Sequence, residues 1–136
     1  MKISLDGNAI QPTRAHTTDA GLDLYCPSHE VIRPFDHLKI DLGVHVQIPP
    51  NHVGFIKGRS SMNAAGMIIA EGTIDEGYTG PLGVVVFNMT GEVKIIDPYD
   101  RIAQLVIQPV KYPSVKVVDS LEPTERGDGG FGSTGA

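Results

Sequence analysis

One aspartate and one tyrosine lie among three glycines in residues 72–80, a pattern that could support chemistry. Asp75 has the side chain of a general base, and Tyr78 offers a ring against which a ligand could pack. Glycines permit positive φ values and let another molecule approach the backbone closely. Residues 72–80 therefore either hold a small molecule beside a base or form an ordinary surface hairpin. Taken alone, the segment favours the ordinary hairpin.

A second candidate site follows the apolar residues of segment 52–57. Arg59 precedes two serines, Ser60 and Ser61, and only the stretch up to Gly66 has helical character. Either serine is expected to cap the helix, and Gly66 is expected to end it. Free N–H groups beside an arginine predict an anion site. The alternative is a capped connector with a solvated arginine.

The elements that must position these residues are short strands. In residues 38–48, six apolar residues occupy every second position, which predicts one strand, or two strands broken near Gly43, with one buried face. His45 falls on the polar face, where we expect it to be solvated. The turn within the central hairpin is predicted at residues 75–77. Other strands are predicted near residues 1–5, 20–25, 52–57, 67–70, 82–89, 92–97, 100–108 and 115–119.

This count of nine or ten short strands, with no βαβ alternation, predicts an all-β sandwich or barrel. At 136 residues the chain is most simply one β domain, residues 1–122, followed by a tail, residues 123–136. The tail is rich in glycine, so we expect it to be flexible. Its Phe131 has no core of its own to join. Glycine-rich backbone with Arg126 and nearby hydroxyls could instead wrap phosphates.

Composition narrows the classes of partner. The net charge of −5 argues against a nucleic-acid polymer but permits a small anionic ligand. Cys26 is the only cysteine, which excludes an internal disulfide and suits a reducing cytoplasm. No HxH, HxxxH or CxxC pattern predicts a zinc site. No stretch is long enough to span a membrane, and no signal peptide is evident, so we expect neither a membrane partner nor export.

Five separated segments together resemble the motifs of the trimeric deoxyuridine triphosphatases, the dUTPase family. They occur in the family's order and cover nearly the whole chain: residues 20–24, 58–62, 72–80, 101–105 and 126–135. The resemblance implies a distorted jelly-roll β-fold, the β-clip type, assembled as a homotrimer. Each active site would take the hairpin from one chain, the phosphate-binding segments from a second and the C-terminal arm, residues 123–136, from a third.

The resemblance also implies Mg²⁺-dependent hydrolysis of dUTP to dUMP and pyrophosphate, which keeps uracil out of DNA and supplies dUMP for dTMP synthesis. Asp75 would be the general base that activates water for attack on the α-phosphorus. Asp23 would hold the metal through a water, because Mg²⁺ would be chelated mainly by the phosphates. Gln104 would assist catalysis at the phosphate chain. The reaction would take place in the cytoplasm, or in the host cytoplasm for a phage or viral protein.

The same resemblance implies which residues bind the substrate. Backbone groups of the hairpin, with Gly72 and Ile74 among them, would read the uracil edge, and Tyr78 would pack against deoxyribose where a 2′-hydroxyl would clash. The phosphate chain would also contact Arg59, Ser60 and Ser61. The arm would close over the nucleotide, with the Phe131 ring on uracil and the rest of the contacts from Arg126, Gly132, Ser133 and Thr134.

One departure from the family and three alternatives accompany this interpretation. Some family members carry an asparagine on the uracil edge shortly before the hairpin glycine, where this chain has Ile69 and Ala70. A dCTP deaminase shares the motif layout but has glutamate in place of Asp75. A β-sandwich interaction or coat protein that has lost catalysis is the alternative from another class. A regulatory protein partner alongside catalysis would leave no visible trace in the sequence.

Overall fold

A computed structural model describes residues 1–130. These residues form ten strands and one short helix: β1 (Lys2–Leu5), β2 (Gly21–Tyr25), β3 (Glu30–Ile32), β4 (His37–Gln47), β5 (His52–Gly58), α1 (Ser60–Ala64), β6 (Met67–Ile69), β7 (Gly72–Ile74), β8 (Pro81–Asn88), β9 (Lys94–Ile96) and β10 (Arg101–Pro109). Within this described part, helices long and apolar enough to cross a membrane are absent.

Two four-stranded antiparallel sheets enclose the core. Their strand orders are β1-β4-β8-β6 and β2-β10-β5-β7, and a two-stranded sheet pairs β3 with β9. Apolar side chains from both large sheets are fully buried between them, among them Leu24, Leu42, Ile56, Val84 and Leu105. The predicted all-β sandwich is confirmed, and the arrangement is the distorted jelly roll that the resemblance implied.

Strand β4 is the alternating segment, and it is continuous. Ile40, Leu42, Val44 and Val46 are buried, as the period-2 pattern predicts. Gly43 adopts a φ of +60°, and the register against β8 shifts between Asp41 and His45. The break suggested by Gly43 is therefore a bulge within one strand.

The central segment is more than a hairpin. Strands β6 and β8 pair as predicted, with Ile68 opposite Phe87. Between them, β7 leaves this sheet and pairs with β5 in the other sheet, with Gly72 opposite Ile56. The turn at residues 75–77 is present, and the Tyr78 N–H donates to the Asp75 carbonyl oxygen at 3.0 Å. The chain thus passes from one sheet to the other immediately around Asp75.

Helix α1 begins one or two residues earlier than predicted. Arg59 retains extended φ and ψ of −86° and 145°, and its carbonyl oxygen accepts the first helical hydrogen bond from the Asn63 N–H at 3.1 Å. The prediction that Ser60 or Ser61 is the N-cap is wrong, because Arg59 continues the direction of β5 and occupies that position. Gly66, at a φ of +76°, follows the last turn as predicted.

Beyond β10, residues 110–130 contain neither strand nor helix. The strand predicted at residues 115–119 is wrong. Val115 and Val117 are 93% and 92% exposed, and the described part of the chain offers them no neighbouring strand. Backbone N–H and C=O groups need such a partner to form a strand. Strand β3 escapes sequence analysis because three residues are too few to show a period.

Candidate functional site

A cluster of polar side chains lies at one end of the sheet β2-β10-β5-β7. We call it the arginine–aspartate cluster: Asp23, Arg59, Arg101 and Gln104. The register places Asp23 on β2 opposite Gln104 on β10, and Gln104 is in turn opposite Lys57 on β5. Arg59 follows β5 directly. Strand pairing therefore brings together residues that are far apart in sequence.

Asp23 is the centre of this cluster, with its side chain only 14% exposed. Arg59 Nε lies 3.0 Å from one carboxylate oxygen, and Arg101 Nη1 lies 3.2 Å from the other. Arg59 also donates from Nη1 to the Arg101 carbonyl oxygen at 3.3 Å. Two guanidinium groups facing one carboxylate leave a net positive charge in a partly buried place, where electrostatic attraction is stronger than in water. Such a site suits a phosphate group.

Arg101 was not predicted as a site residue, although it begins the segment 101–105. Its signal in the sequence is its charge at the start of a mostly apolar strand. Ser60 and Ser61, which were predicted, are the first two residues of α1 and are exposed. They therefore stand next to Arg59 at the edge of the cluster.

Gln104 is held against the backbone. Its Nε2 donates to the Gly58 carbonyl oxygen at 3.2 Å. On the other side, a Cβ atom placed on Gly21 would lie 2.3 Å from Gln104 Oε1 and 3.0 Å from its Cβ. Only glycine at position 21 leaves room for the amide in this position. The half-buried amide is thus both anchored and placed beside Asp23.

The second candidate region is the Asp75–Tyr78 turn, residues 75–78. Asp75 is exposed. Gly77 would place a Cβ in open space, Gly72 would meet only Ile56 at 3.6 Å, and neither has a positive φ. Nothing within the described residues therefore requires glycine at these two positions. Space left over the backbone is what a ligand needs for a close approach.

Tyr78 and Gly80 fit each other within the chain. A Cβ on Gly80 would lie 2.5 Å from Tyr78 Oη, so the phenol lies across the glycine. The hydroxyl donates to the Pro81 carbonyl oxygen at 2.9 Å. The ring remains 42% exposed. Ile74, in contrast, is buried, so only its backbone can face a ligand.

Two residues that sequence reasoning missed hold this turn. Glu76 Oε2 accepts hydrogen bonds from the Asn51 N–H at 2.8 Å and from the Tyr112 hydroxyl at 2.9 Å. Donation to this carboxylate raises the pKa of Tyr112. A cavity of about 450 Å³ lies here, lined by Asp75, Glu76, Gly77 and Tyr112. No pattern in the sequence links Tyr112 to a turn 36 residues earlier.

The two regions are far apart within one chain. Ile74 pairs with Gly54 on β5, so Asp75 continues toward Val53, whereas Asp23 is aligned through Gln104 with Lys57. Four residues along β5 and three strand spacings across the sheet separate them by about 20 Å. The geometry thus does not combine the base and the cationic cluster in a single chain.

Comparisons with known proteins decide the family. The family model described as dUTPase matches residues 7–135. The chain belongs to the dUTPase family. It is 41% identical over 134 residues to the deoxyuridine 5'-triphosphate nucleotidohydrolase of Clostridium kluyveri, covering 96% of this chain and 94% of that protein.

Solved dUTPase structures share the same fold. A mutant dUTPase of Staphylococcus bacteriophage 80alpha, solved with dUpNHpp, has a TM-score of 0.93 at 32% identity and covers 99% of this chain and 98% of its own. A mutant dUTPase from phage phi11 of S. aureus, whose structure is described as revealing how a structural Mg(II) ion is coordinated, has a TM-score of 0.80 at 31% identity. The alignment with phi11 covers 88% of this chain and 96% of the phage protein.

The residues at hand fit a dUTPase that leaves most metal ligation to its substrate. Among residues 1–130, no three His, Cys, Asp or Glu side chains converge to form a metal cage. The partly buried carboxylate nearest the cationic groups is Asp23, and both of its oxygens already face arginines. A carboxylate in this setting can accept from a metal-bound water without direct ligation, as Mg²⁺ prefers.

The described part of the arm forms only local contacts. Arg126 Nε donates to the Gly129 carbonyl oxygen at 3.1 Å, and the Gly127 N–H donates to the Thr124 carbonyl oxygen at 3.1 Å. The remaining arm residues predicted from the resemblance lie outside the described residues: Phe131, Gly132, Ser133 and Thr134.

Proposed function

We propose that this dUTPase-family chain hydrolyses dUTP to dUMP and pyrophosphate as a homotrimer that uses Mg²⁺. The observation that carries the proposal is the arginine–aspartate cluster. Its two guanidinium groups and one partly buried carboxylate suit a phosphate chain, and they occur in a chain that matches the family over residues 7–135. The single free thiol, Cys26, suits the reducing cytoplasm in which we place the reaction.

Asp75 acts as the general base. Its exposed carboxylate accepts a proton from water, and the water oxygen forms a bond to the α-phosphorus. The bond from the α-phosphorus to the bridging oxygen breaks, and the electron pair leaves with pyrophosphate. Arg59, with Gln104 and the hydroxyls of Ser60 and Ser61, stabilises the charge that develops on the phosphate oxygens.

Asp23 would hold Mg²⁺ through a bound water. When bound, Mg²⁺ neutralises phosphate charge and aligns the triphosphate. Arg59 and Arg101 hold the Asp23 carboxylate from both sides, so its orientation is fixed before substrate arrives.

The Asp75–Tyr78 turn determines which nucleotide binds. The open space over Gly72 and Gly77 lets the uracil edge approach the backbone, whose N–H and C=O groups read it. The Tyr78 ring, held across Gly80 by its hydrogen bond to Pro81, packs against deoxyribose and leaves no room for a 2′-hydroxyl. Polar groups that the fold already holds in place need not be ordered when the nucleotide binds, which lowers the entropy cost of binding.

A trimer brings the two regions together. Because Asp75 and Asp23 are about 20 Å apart in one chain, one α-phosphorus needs the Asp75–Tyr78 turn of one copy and the arginine–aspartate cluster of another. Val115, Val117 and Leu121 are almost fully exposed on the segment leading to the arm. Exposed apolar side chains in an extended segment are suited to packing against a neighbouring copy. The arm, residues 123–136, then closes over that neighbour's nucleotide.

The substrate assignment is tested by offering dUTP and dCTP separately, with Mg²⁺. We expect pyrophosphate release from dUTP, no ammonia release from dCTP, and a mass in solution of three chains. Ammonia release from dCTP would identify a deaminase instead. Release of neither product would favour an interaction protein without catalysis.

Replacing Gly21 by alanine tests the placement of Gln104. The new Cβ would meet Gln104 Oε1 at 2.3 Å, so the amide must swing away from the Gly58 carbonyl oxygen. We expect turnover of dUTP to fall by about tenfold or more, since a displaced catalytic group loses most of its effect. The double variant with Gln104→Ala should be no slower than Gln104→Ala alone, because both changes act on one group. Additive losses would mean that Gly21 acts by another route.

A further inference from the structure

A histidine outside the proposed catalytic groups connects the substrate turn to the N-terminal strand. His45 Nδ1 lies 2.7 Å from the Thr79 carbonyl oxygen, and His45 Nε2 lies 2.8 Å from Asp6 Oδ2. The histidine side chain is 23% exposed, whereas Asp6 is 69% exposed. The expectation of a solvated His45 is therefore wrong. The polar face of β4 is covered here by the segment that follows Tyr78.

The partners of His45 define its protonation state. A backbone carbonyl oxygen can only accept, so Nδ1 must carry a proton. Asp6 in its ionised form also only accepts, so Nε2 must carry one as well. With both partners accepting, the two contacts together favour an imidazolium. The hydrogen bond to Thr79, followed by that to Asp6, raises the pKa of His45.

The surroundings favour this charge, and the 23% of the side chain that stays exposed gives the proton a route to solvent. Asp6 faces the ring from the turn after β1, and the charge of Asp41, on β4 itself, also raises the pKa of His45. Lys2 on β1 is the opposing cation and lines the same cavity of about 350 Å³ as His45 and Thr79. The segment of Thr79 contributes a carbonyl and no charge. The imidazolium can therefore lose its proton to solvent as pH rises.

The contact matters because of what Thr79 adjoins. Tyr78 precedes it, and Pro81, which pairs with His45 across β4 and β8, accepts the Tyr78 hydroxyl hydrogen bond. The short segment 78–81 is thus fixed at one end by its own tyrosine and in the middle by His45. We propose that His45 is a positioning residue, whose bridge from Asp6 to the Thr79 carbonyl fixes Tyr78 and so sets the preference for deoxyribose over ribose. The proposal rests on the sugar-binding role of Tyr78 in the proposed function.

The sign of the pH dependence follows from the raised pKa. The folded state favours protonated His45, so the bridge is complete below the ordinary pKa of about 6.5 and is lost as pH rises through the higher folded value. We expect the ratio of kcat/KM for dUTP to that for UTP to fall over this range. Asp6→Asn should move the fall to lower pH, because the amide no longer stabilises the imidazolium.

His45→Gln tests the bridge directly. Both N–H donors of the glutamine amide lie on one nitrogen, so they cannot reach Thr79 and Asp6 as the two separate ring nitrogens do. We therefore expect the dUTP to UTP ratio to fall about five- to tenfold and to lose its pH dependence over that range. Most of the change should appear in KM for dUTP rather than in kcat. The matched control is His29→Gln, which removes another His–Asp contact, 2.7 Å to Asp97, next to the β3–β9 sheet. It should leave both the ratio and its pH dependence unchanged.

An NMR titration separates this proposal from the proposed function. The ring signal that disappears in His45→Gln identifies His45, and its midpoint should lie above the ordinary value in the wild type and move down in Asp6→Asn. An ordinary midpoint, or a nucleotide ratio within twofold of wild type in folded His45→Gln, would overturn the proposal. If His45→Gln does not fold, the deciding measurement is the shift of the His45 titration midpoint in Asp6→Asn. Asp6 is exposed, so we expect this variant to fold. A wild-type protein that does not hydrolyse dUTP would instead overturn the proposed function.

Discussion

Replacing Asp75 by asparagine is expected to lower kcat for dUTP hydrolysis by at least about two orders of magnitude while leaving dUTP binding intact. The amide has the shape of the carboxylate but cannot take a proton from water. Asp75 is exposed, and the hydrogen bond that closes its turn uses its backbone carbonyl, which the substitution retains. Steady-state pyrophosphate release gives kcat, and titration calorimetry with a non-hydrolysable analogue gives the affinity.

The neighbouring carboxylate provides the matched control. Glu76→Gln also removes one negative charge from the turn, but its amide oxygen can still accept from the Asn51 N–H and the Tyr112 hydroxyl. We expect kcat within about threefold of wild type, as for a change that keeps the hydrogen bonds. Near-normal turnover in Asp75→Asn would exclude Asp75 as the base. An equal loss in both variants would indicate a general effect of charge rather than proton transfer.

The sequence predicts most of the strands because burial of one face imposes a period of two. Ile40, Leu42, Val44 and Val46 show this in β4, whose eleven residues include five apolar positions in alternation, and Ile48 continues the pattern just after the strand. The pattern cannot say which strands become neighbours. Strand β7, with only three residues, joins β5 rather than continuing a hairpin, and this depends on contacts between the sheets. A strand of three residues is too short for its apolar pattern to predict which strand it pairs with.

The candidate site shows the same limit. Asp75, Asp23 and Arg59 could be named because their segments resemble family motifs, but their positions relative to one another come from strand register. Arg101 joins Asp23 because β10 pairs with β2. The Tyr112 hydroxyl reaches Glu76 across 36 residues of sequence. Contacts between residues so far apart in sequence form only in the complete fold. They cannot be predicted from the local secondary-structure propensities of each segment.

His45 illustrates why a correct strand can still give a wrong environment. Alternation places it on the polar face of β4, which is correct. What covers that face is the segment around Thr79, 34 residues later, and the N-terminal Asp6. The period of a strand assigns a side to each residue, whereas solvation depends on what packs against that side.

Removing residues 124–136 is expected to leave a folded trimer that has lost at least about two orders of magnitude in dUTP turnover, as for an active site that no longer closes. The last strand ends at Pro109, and residues 111–128 are exposed, so the deletion removes few contacts from the body of the described chain. Tyr112 and its hydrogen bond to Glu76 remain. Gel filtration and circular dichroism check assembly and fold. Normal hydrolysis by the truncated protein would exclude a closing role for the arm.

Mixing two inactive chains shows whether the arm and the base come from different copies. One chain carries Asp75→Asn and a complete arm, and the other carries Asp75 and lacks residues 124–136. If one copy supplies the base and another supplies the arm, equal co-expression restores about a quarter of the sites, because each requirement is met with even odds. If both came from the same copy, every site would lack one of them and the mixture would stay inactive. Recovered activity therefore requires that the base and the arm come from different chains. The separation of about 20 Å between Asp75 and Asp23 within one chain is independent support for sites shared between copies.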